Sequence, residues 1–144
     1  MRTMMIDSGI ILRALVGPHK PEVRPAYEEA ARLLRSMDAG EMILTATDAA
    51  ISETVIALSS PRHYGLRRRE TAERMRVIVG HAGFRMPGKT AVLAALARWQ
   101  EDPSLDFSDA LTIERAREGG MDVASHRPAV IAAAGYDYWE RELV

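Results

Sequence analysis

Four acids in this chain stand where a solvated helix face does not account for them: Asp7, Glu53, Asp106 and Asp109. Asp7 directly follows the short apolar run Met4–Ile6 and opens the turn-like trio Asp7-Ser8-Gly9. In open parallel sheets ligands gather beyond the carboxyl ends of strands, which is where an acid in that position falls. A turn aspartate bonding nearby backbone is the plainer account. Glu53 has Ala49, Ala50, Ile56 and Ala57 three and four residues away, so its carboxylate leaves a face of small and apolar residues. A charge in such a setting is paired, held on a metal, or led out to water. Asp106 and Asp109 are spaced to share a face at the start of a helix. They suit an N-cap with its third-position partner equally well. The spacing does not decide whether these acids meet. If they do, an all-oxygen cluster suits Mg²⁺ or Mn²⁺ rather than zinc. The chemistry is then metal-assisted attack of water on a phosphate ester.

Several other charges carry weaker signals. Arg67-Arg68-Arg69, with Arg62, His63, Arg74 and Arg76 close in sequence, is the densest basic segment and a candidate contact for RNA phosphates. It also reads as a solvated helix start in which Glu70 and Glu73 pair with Arg74 and Arg76, although arginines there oppose the helix dipole. Arg13, just past the Asp7 turn, is placed to reach a phosphate or an acid of the site. Glu28, Glu29, Glu70, Glu73, Glu114 and Glu118 read as solvated, and Arg115 and Arg117 as support for a helix C-terminus. His19, His63 and His81 lack metal-like spacing, and Gly80–Gly88 fits no phosphate-binding loop pattern.

The elements that must position these residues alternate. Met4–Ile6 predicts a buried strand, and Ile10, Ile11, Ala14 and Leu15 a short helix broken at Gly17-Pro18. Pro25 suits the first turn of a helix whose apolar face is Tyr27, Ala30, Ala31, Leu33, Leu34 and Met37, with Gly40 as its stop. Met42–Leu44 predicts a second strand. Thr47 or Asp48 caps a helix to about Ser59, ended by Pro61. Helices follow over Arg67–Val79, Lys89–Gln100 and Asp106–Glu118, with a brief extended piece at Phe84–Met86. Asp122–Ser125 predicts a last strand and Pro128–Ala134 a short helix, while Gly135–Val144 carries no pattern that places it. The alternation implies a small parallel sheet covered by helices.

The totals set bounds. At 144 residues, 47% hydrophobic and 27% charged, the chain reads as one ordinary globular domain over 1–144. It has no cysteine, which excludes disulfide scaffolds, thiol catalysis and thiolate metal sites. No apolar run reaches membrane-crossing length and no secretory pattern opens the chain, so a cytoplasmic protein off the membrane is the expectation. A net charge of −1 excludes a globally basic nucleic-acid binder but not a local basic patch.

Taken in order, the motifs resemble the PIN-domain family. Met5-Ile6-Asp7-Ser8 followed by Ile10-Ile11-Leu12-Arg13 resembles its opening, and Ile51-Ser52-Glu53-Thr54-Val55 its helical glutamate. Leu105-Asp106-Phe107-Ser108-Asp109-Ala110-Leu111 resembles its Asp-x-x-Asp-Ala-Leu helix start, and Val123-Ala124-Ser125 its last strand. The resemblance runs from Met4 to about Pro128 and is closest to the toxin halves of VapBC-type toxin–antitoxin pairs. It implies a three-layer α/β/α domain with a small parallel sheet flanked by helices. It further implies a Mg²⁺- or Mn²⁺-dependent endoribonuclease, a homodimer, and an antitoxin that blocks the site. The metal residues it implies are Asp7, Glu53 and Asp109, with Asp106 as auxiliary.

The sequence departs from the pattern twice. Gly9 stands where the family has an asparagine that orients its neighbours. Ser125-His126-Arg127 stands where the family has Ser/Thr-Phe-Asp, so a cation, Arg127, takes the place of the fourth carboxylate. That exchange weakens divalent-metal affinity, and it makes Arg127 a further candidate RNA contact and His126 a candidate nitrogen ligand. A non-catalytic PIN-like module that binds RNA or a protein is therefore the alternative. An α/β phosphatase using Asp7 covalently is weaker, since its second aspartate would stand at Gly9.

Overall fold

In the computed structural model, residues 1–17, 22 and 24–134 are described. They form β1 (Arg2–Met5), α1 (Ser8–Leu15), α2 (Arg24–Asp38), β2 (Met42–Thr45), α3 (Asp48–Ser59), α4 (Arg68–Val79), α5 (Lys89–Glu101), α6 (Phe107–Glu118) and α7 (Pro128–Ala134). The architecture is mixed α/β and mostly helical, with a small parallel sheet. Packing divides the chain into two compact units, the first running from Met1 to Pro87 and the second beginning at Gly88.

The first unit holds the sheet. β1 and β2 run parallel in the register Arg2↔Met42 to Met5↔Thr45, and the Ile6 N–H donates to Thr45 O at 2.8 Å, one residue past the strand. Parallel neighbours need a crossover, supplied here by α1 and α2. α2 begins as its proline predicts and ends at Asp38, and the turn after it holds Gly40, whose φ of 74° lies in the left-handed region that glycine enters without steric cost. The brief extended piece expected at Phe84 is a single parallel bridge to Leu44, closed by Leu44 N–H to Gly83 O at 3.0 Å and Arg85 N–H to Leu44 O at 2.8 Å. Leu44, Phe84, Ile11, Ile51, Leu58, Met75 and Ile78 are fully buried in this unit. Phe84 thus anchors a loop that hydropathy alone leaves ambiguous.

The second unit is helical. α5 packs on α6, and α7 on α6. Leu105, Ile113, Ala116, Val123 and Val130 form a buried cluster against which Ala129, Ala133 and Ala134 pack. Trp99 meets Phe107 edge-on, with ring centroids 6.1 Å apart.

Three expectations are corrected here. The first strand is Arg2–Met5 and not Met4–Ile6, and it is not buried: Met5 is 63% exposed, and the buried residue is Ile6, just past the strand. Asp122–Ser125 is not a strand: among the described residues it has no ladder partner, and only Val123 is buried, as a plug in the α6–α7 cluster. Alanine, serine and aspartate around one valine supply little strand preference of their own. Glu114 is not solvated either. It is 8% exposed on the buried face of α6 and pairs with Arg98 at 2.8 Å.

Candidate functional site

Two of the four acids meet at one place. Asp7 follows the carboxyl end of β1 and is the N-cap of α1, its Oδ1 accepting the Ile10 N–H at 3.0 Å. Thr47, two residues past the end of β2, caps α3 by accepting the Ala50 N–H at 3.1 Å, and α3 carries Glu53. The Ser8 hydroxyl donates to Glu53 Oε2 at 2.9 Å and so links the start of α1 to α3. Asp7, Ser8 and Glu53 line an open pocket of about 460 Å³. Its apolar lining includes Ile6 and Ala50, and Glu29 of α2 lines it as well.

Glu53 is exposed rather than buried, as is Ile56 one turn on, so the desolvation argument for a paired or metal-bound charge does not apply to it. Among the described residues, Asp7 Oδ2 and Glu53 Oε1 have no hydrogen-bond partner. Two carboxylates and a hydroxyl at one pocket are hard oxygen donors and fit a divalent cation such as Mg²⁺. Within either unit, no three described acids or histidines close to metal-holding distance.

Gly9 explains how Arg13 is placed. A Cβ there would lie 3.1 Å from Arg13 Nη1 and 3.4 Å from Asp7 Oδ1. The guanidinium therefore reaches into the space that a side chain at position 9 would enter, on the side of Asp7.

Asp106 and Asp109 belong to the second unit and form a reciprocal capping box. Asp106 Oδ1 accepts the Asp109 N–H at 2.8 Å, and Asp109 Oδ2 accepts the Asp106 N–H at 3.1 Å. One nitrogen of Arg127, Nη1, donates to both carboxylates, to Asp106 Oδ2 at 2.7 Å and to Asp109 Oδ2. Nη2 donates to Ser104 O at 3.3 Å. With one oxygen of each carboxylate on the same guanidinium nitrogen, these aspartates as arranged fit an arginine and not a divalent ion. Nothing in the sequence pattern signalled the Ser8–Glu53 bond or Glu29 at the pocket, because both are contacts between separate elements.

Several of the remaining candidates have local partners. Arg67 is the N-cap residue of α4, without a side-chain cap bond. Arg69 pairs with Glu73 at 3.2 Å, and Arg74 with Glu70 at 3.0 Å. Arg74 also donates to Leu15 O at 3.0 Å, tying α4 to the end of α1. Arg68 is half-buried, while Arg67, Arg69 and His126 are exposed. Arg115 donates to Gly88 O at 2.9 Å, and Arg117 lies 3.8 Å from Glu114. His81 bonds Asp38 at 2.7 Å through Nε2 and accepts the Gly83 N–H through Nδ1 at 2.9 Å, a structural pairing. His19 lies outside the described residues.

Partial burial pushes the Asp106 carboxyl up, but the Asp109 N–H and the Arg127 guanidinium outweigh it and hold it below its ordinary 3.8. A depressed folded value means that the ionised group stabilises the fold above the unfolded value, about 4, and that this is lost as pH falls through the folded value. Asparagine keeps the cap but not the charge. The difference in melting temperature between the native chain and Asp106→Asn is therefore expected to be largest near neutrality and to shrink in acid below about pH 4. A difference constant from neutral to strongly acid pH would refute it.

No protein-family model, no curated protein and no solved structure matches this chain. Among the described residues no helix is long and apolar enough to cross a membrane.

Proposed function

We propose that the chain is a PIN-like α/β/α domain of the VapC toxin class, a metal-dependent endoribonuclease that hydrolyses RNA phosphodiester bonds. The observation that carries this reading is the placement of Asp7 and Glu53 at one open pocket beyond the carboxyl ends of two parallel strands. The ordered motifs from Met4 to Pro128 support it. Asp7 and Glu53 would hold Mg²⁺ or Mn²⁺, which supplies an ionised water and stabilises charge on the leaving oxygen. The family pattern adds Asp109, but Arg127 already engages that carboxylate.

The chain's own residues have definite tasks in this reading. The Ile10 N–H fixes one oxygen of Asp7 and leaves the other to the pocket. Ser8 orients Glu53. Arg13 offers a cation beside Asp7 for an RNA phosphate. Arg67, Arg68 and Arg69 offer further phosphate contacts. An antitoxin partner, a homodimer and a cytoplasmic setting go with the class.

The pairing of Arg127 with Asp106 and Asp109 favours a second reading, a non-catalytic PIN-like module that binds RNA or a protein. Cleavage of an RNA panel in Mn²⁺ or Mg²⁺ separates the two. The native chain is expected to cut, and Asp7→Asn to lose most of that activity. A native chain that cuts nothing in either metal rules the nuclease out.

A further inference from the structure

We propose that Arg127 is the resident cation of the Asp106–Asp109 pair, occupying by its guanidinium the place that a divalent ion would otherwise take there. The proposal deepens the nuclease reading and rests on it only for the identity of the competing ion. Arg127 Nη1 bridges Oδ2 of both aspartates, and Nη2 is held by Ser104 O at 3.3 Å. Its backbone N–H is tied to Ser125 Oγ at 3.1 Å, so the segment that presents the arginine is itself bonded locally. The inner oxygens are committed to the capping box, Asp106 Oδ1 to the Asp109 N–H and Asp109 Oδ2 to the Asp106 N–H. On Asp106 the bridge takes the oxygen that the cap leaves over, and on Asp109 it shares the cap's own Oδ2. Asp109 is the less exposed partner, its side chain 15% exposed against 60% for Asp106, so the guanidinium compensates the carboxylate that water serves least. An arginine is charged at every accessible pH and cannot leave by deprotonation. A divalent ion must then displace it or bind against its charge.

Removing the arginine should uncover a cation site that the native chain hides. The test is Mn²⁺ binding to the full chain, read from the free-ion electron paramagnetic resonance signal, for native, Arg127→Gln and Arg127→Asp chains. Arg127→Gln is expected to bind Mn²⁺ about tenfold more tightly than the native chain, and Arg127→Asp more tightly again, because like charge is replaced first by none and then by a further ligand. Adding Asp109→Asn to either should erase the gain. Melting temperature gives a second readout: Mn²⁺ should raise it in both Arg127 variants more than in the native chain, including a variant that is poorly folded in chelator. Variants that bind Mn²⁺ no more tightly than the native chain overturn the proposal, as does a gain that survives Asp109→Asn. Neither result depends on RNA cleavage, so the nuclease reading stands or falls separately.

Discussion

If the chain is the proposed nuclease, a Glu53→Gln chain is expected to cut RNA about 100-fold more slowly than the native chain in Mn²⁺, or worse, while melting within about 2 °C of it. Both halves follow from the setting of the side chain. Glutamine has the shape of glutamate and keeps an oxygen for the Ser8 hydroxyl, so the link from α1 to α3 survives. Glu53 is exposed, so neutralising it neither uncovers nor relieves a buried charge. Its helix is held by other residues: Thr47 caps it, and Ile51, Thr54, Val55 and Leu58 are buried on its inner face. What the substitution removes is the anionic donor itself, and a hard divalent ion discriminates strongly between a carboxylate and an amide oxygen. Glu73→Gln, on the exposed face of α4, is the control and should cut as the native chain does. If Glu53→Gln cleaves at the native rate, Glu53 is not part of the chemistry. If it melts far below the native chain, its role is structural.

The contrast between Glu53 and Glu114 shows what was legible in the sequence and what was not. Local signals placed the helices well: Pro25 at the first turn of α2, Gly40 just past its end, Thr47 as one of two candidate caps of α3, and Asp106 with Asp109 as a capping box. Each of these acts within a few residues of itself, where chain geometry dictates the partner. Asp7 was legible as the residue after a strand, and the structure gives it a cap bond as well as a place at the pocket. A residue can hold both positions, so the plain account and the functional one were never exclusive. Solvation was harder to read. Glu53 sits among small residues yet faces water, whereas Glu114, grouped by composition with the surface acids, is buried. The signal for Glu114 was present: Phe107, Ala110, Leu111 and Glu114 fall at one helical face, so the glutamate continues an apolar stripe. The expected strand at Asp122–Ser125 failed for the opposite reason, since one valine in a short polar run fixes a packing point but no ladder. Ser8 to Glu53 and Arg127 to Asp106 join residues 45 and 21 apart, and periodicity carries no information over such separations.

Breaking the Arg98–Glu114 pair should produce the largest loss of stability in the second unit. Arg98 Nε donates to Glu114 Oε1 at 2.8 Å, and Arg98 Nη1 reaches Ala133 O at 3.4 Å, so this one side chain joins α5 to both α6 and α7. Arg98→Met keeps much of the apolar stem but leaves a carboxylate that is 8% exposed, with Arg117 at 3.8 Å as the ion-pair contact that remains. An uncompensated buried charge of this kind costs about 3 kcal/mol. The loss is read as a shift of the urea midpoint followed by tryptophan fluorescence in a Trp139→Phe background, which leaves Trp99, edge-on to Phe107, as the reporter on this unit. The double variant Arg98→Met/Glu114→Met separates charge from packing. If the cost of the single variant is the orphaned carboxylate, replacing both partners with apolar side chains should recover most of it, because the desolvation of two ions disappears together with their attraction. A double variant as unstable as the single one would instead place the contribution of Arg98 in its contacts across α5, α6 and α7. A single variant that unfolds at the native midpoint would mean that Arg117 alone compensates Glu114.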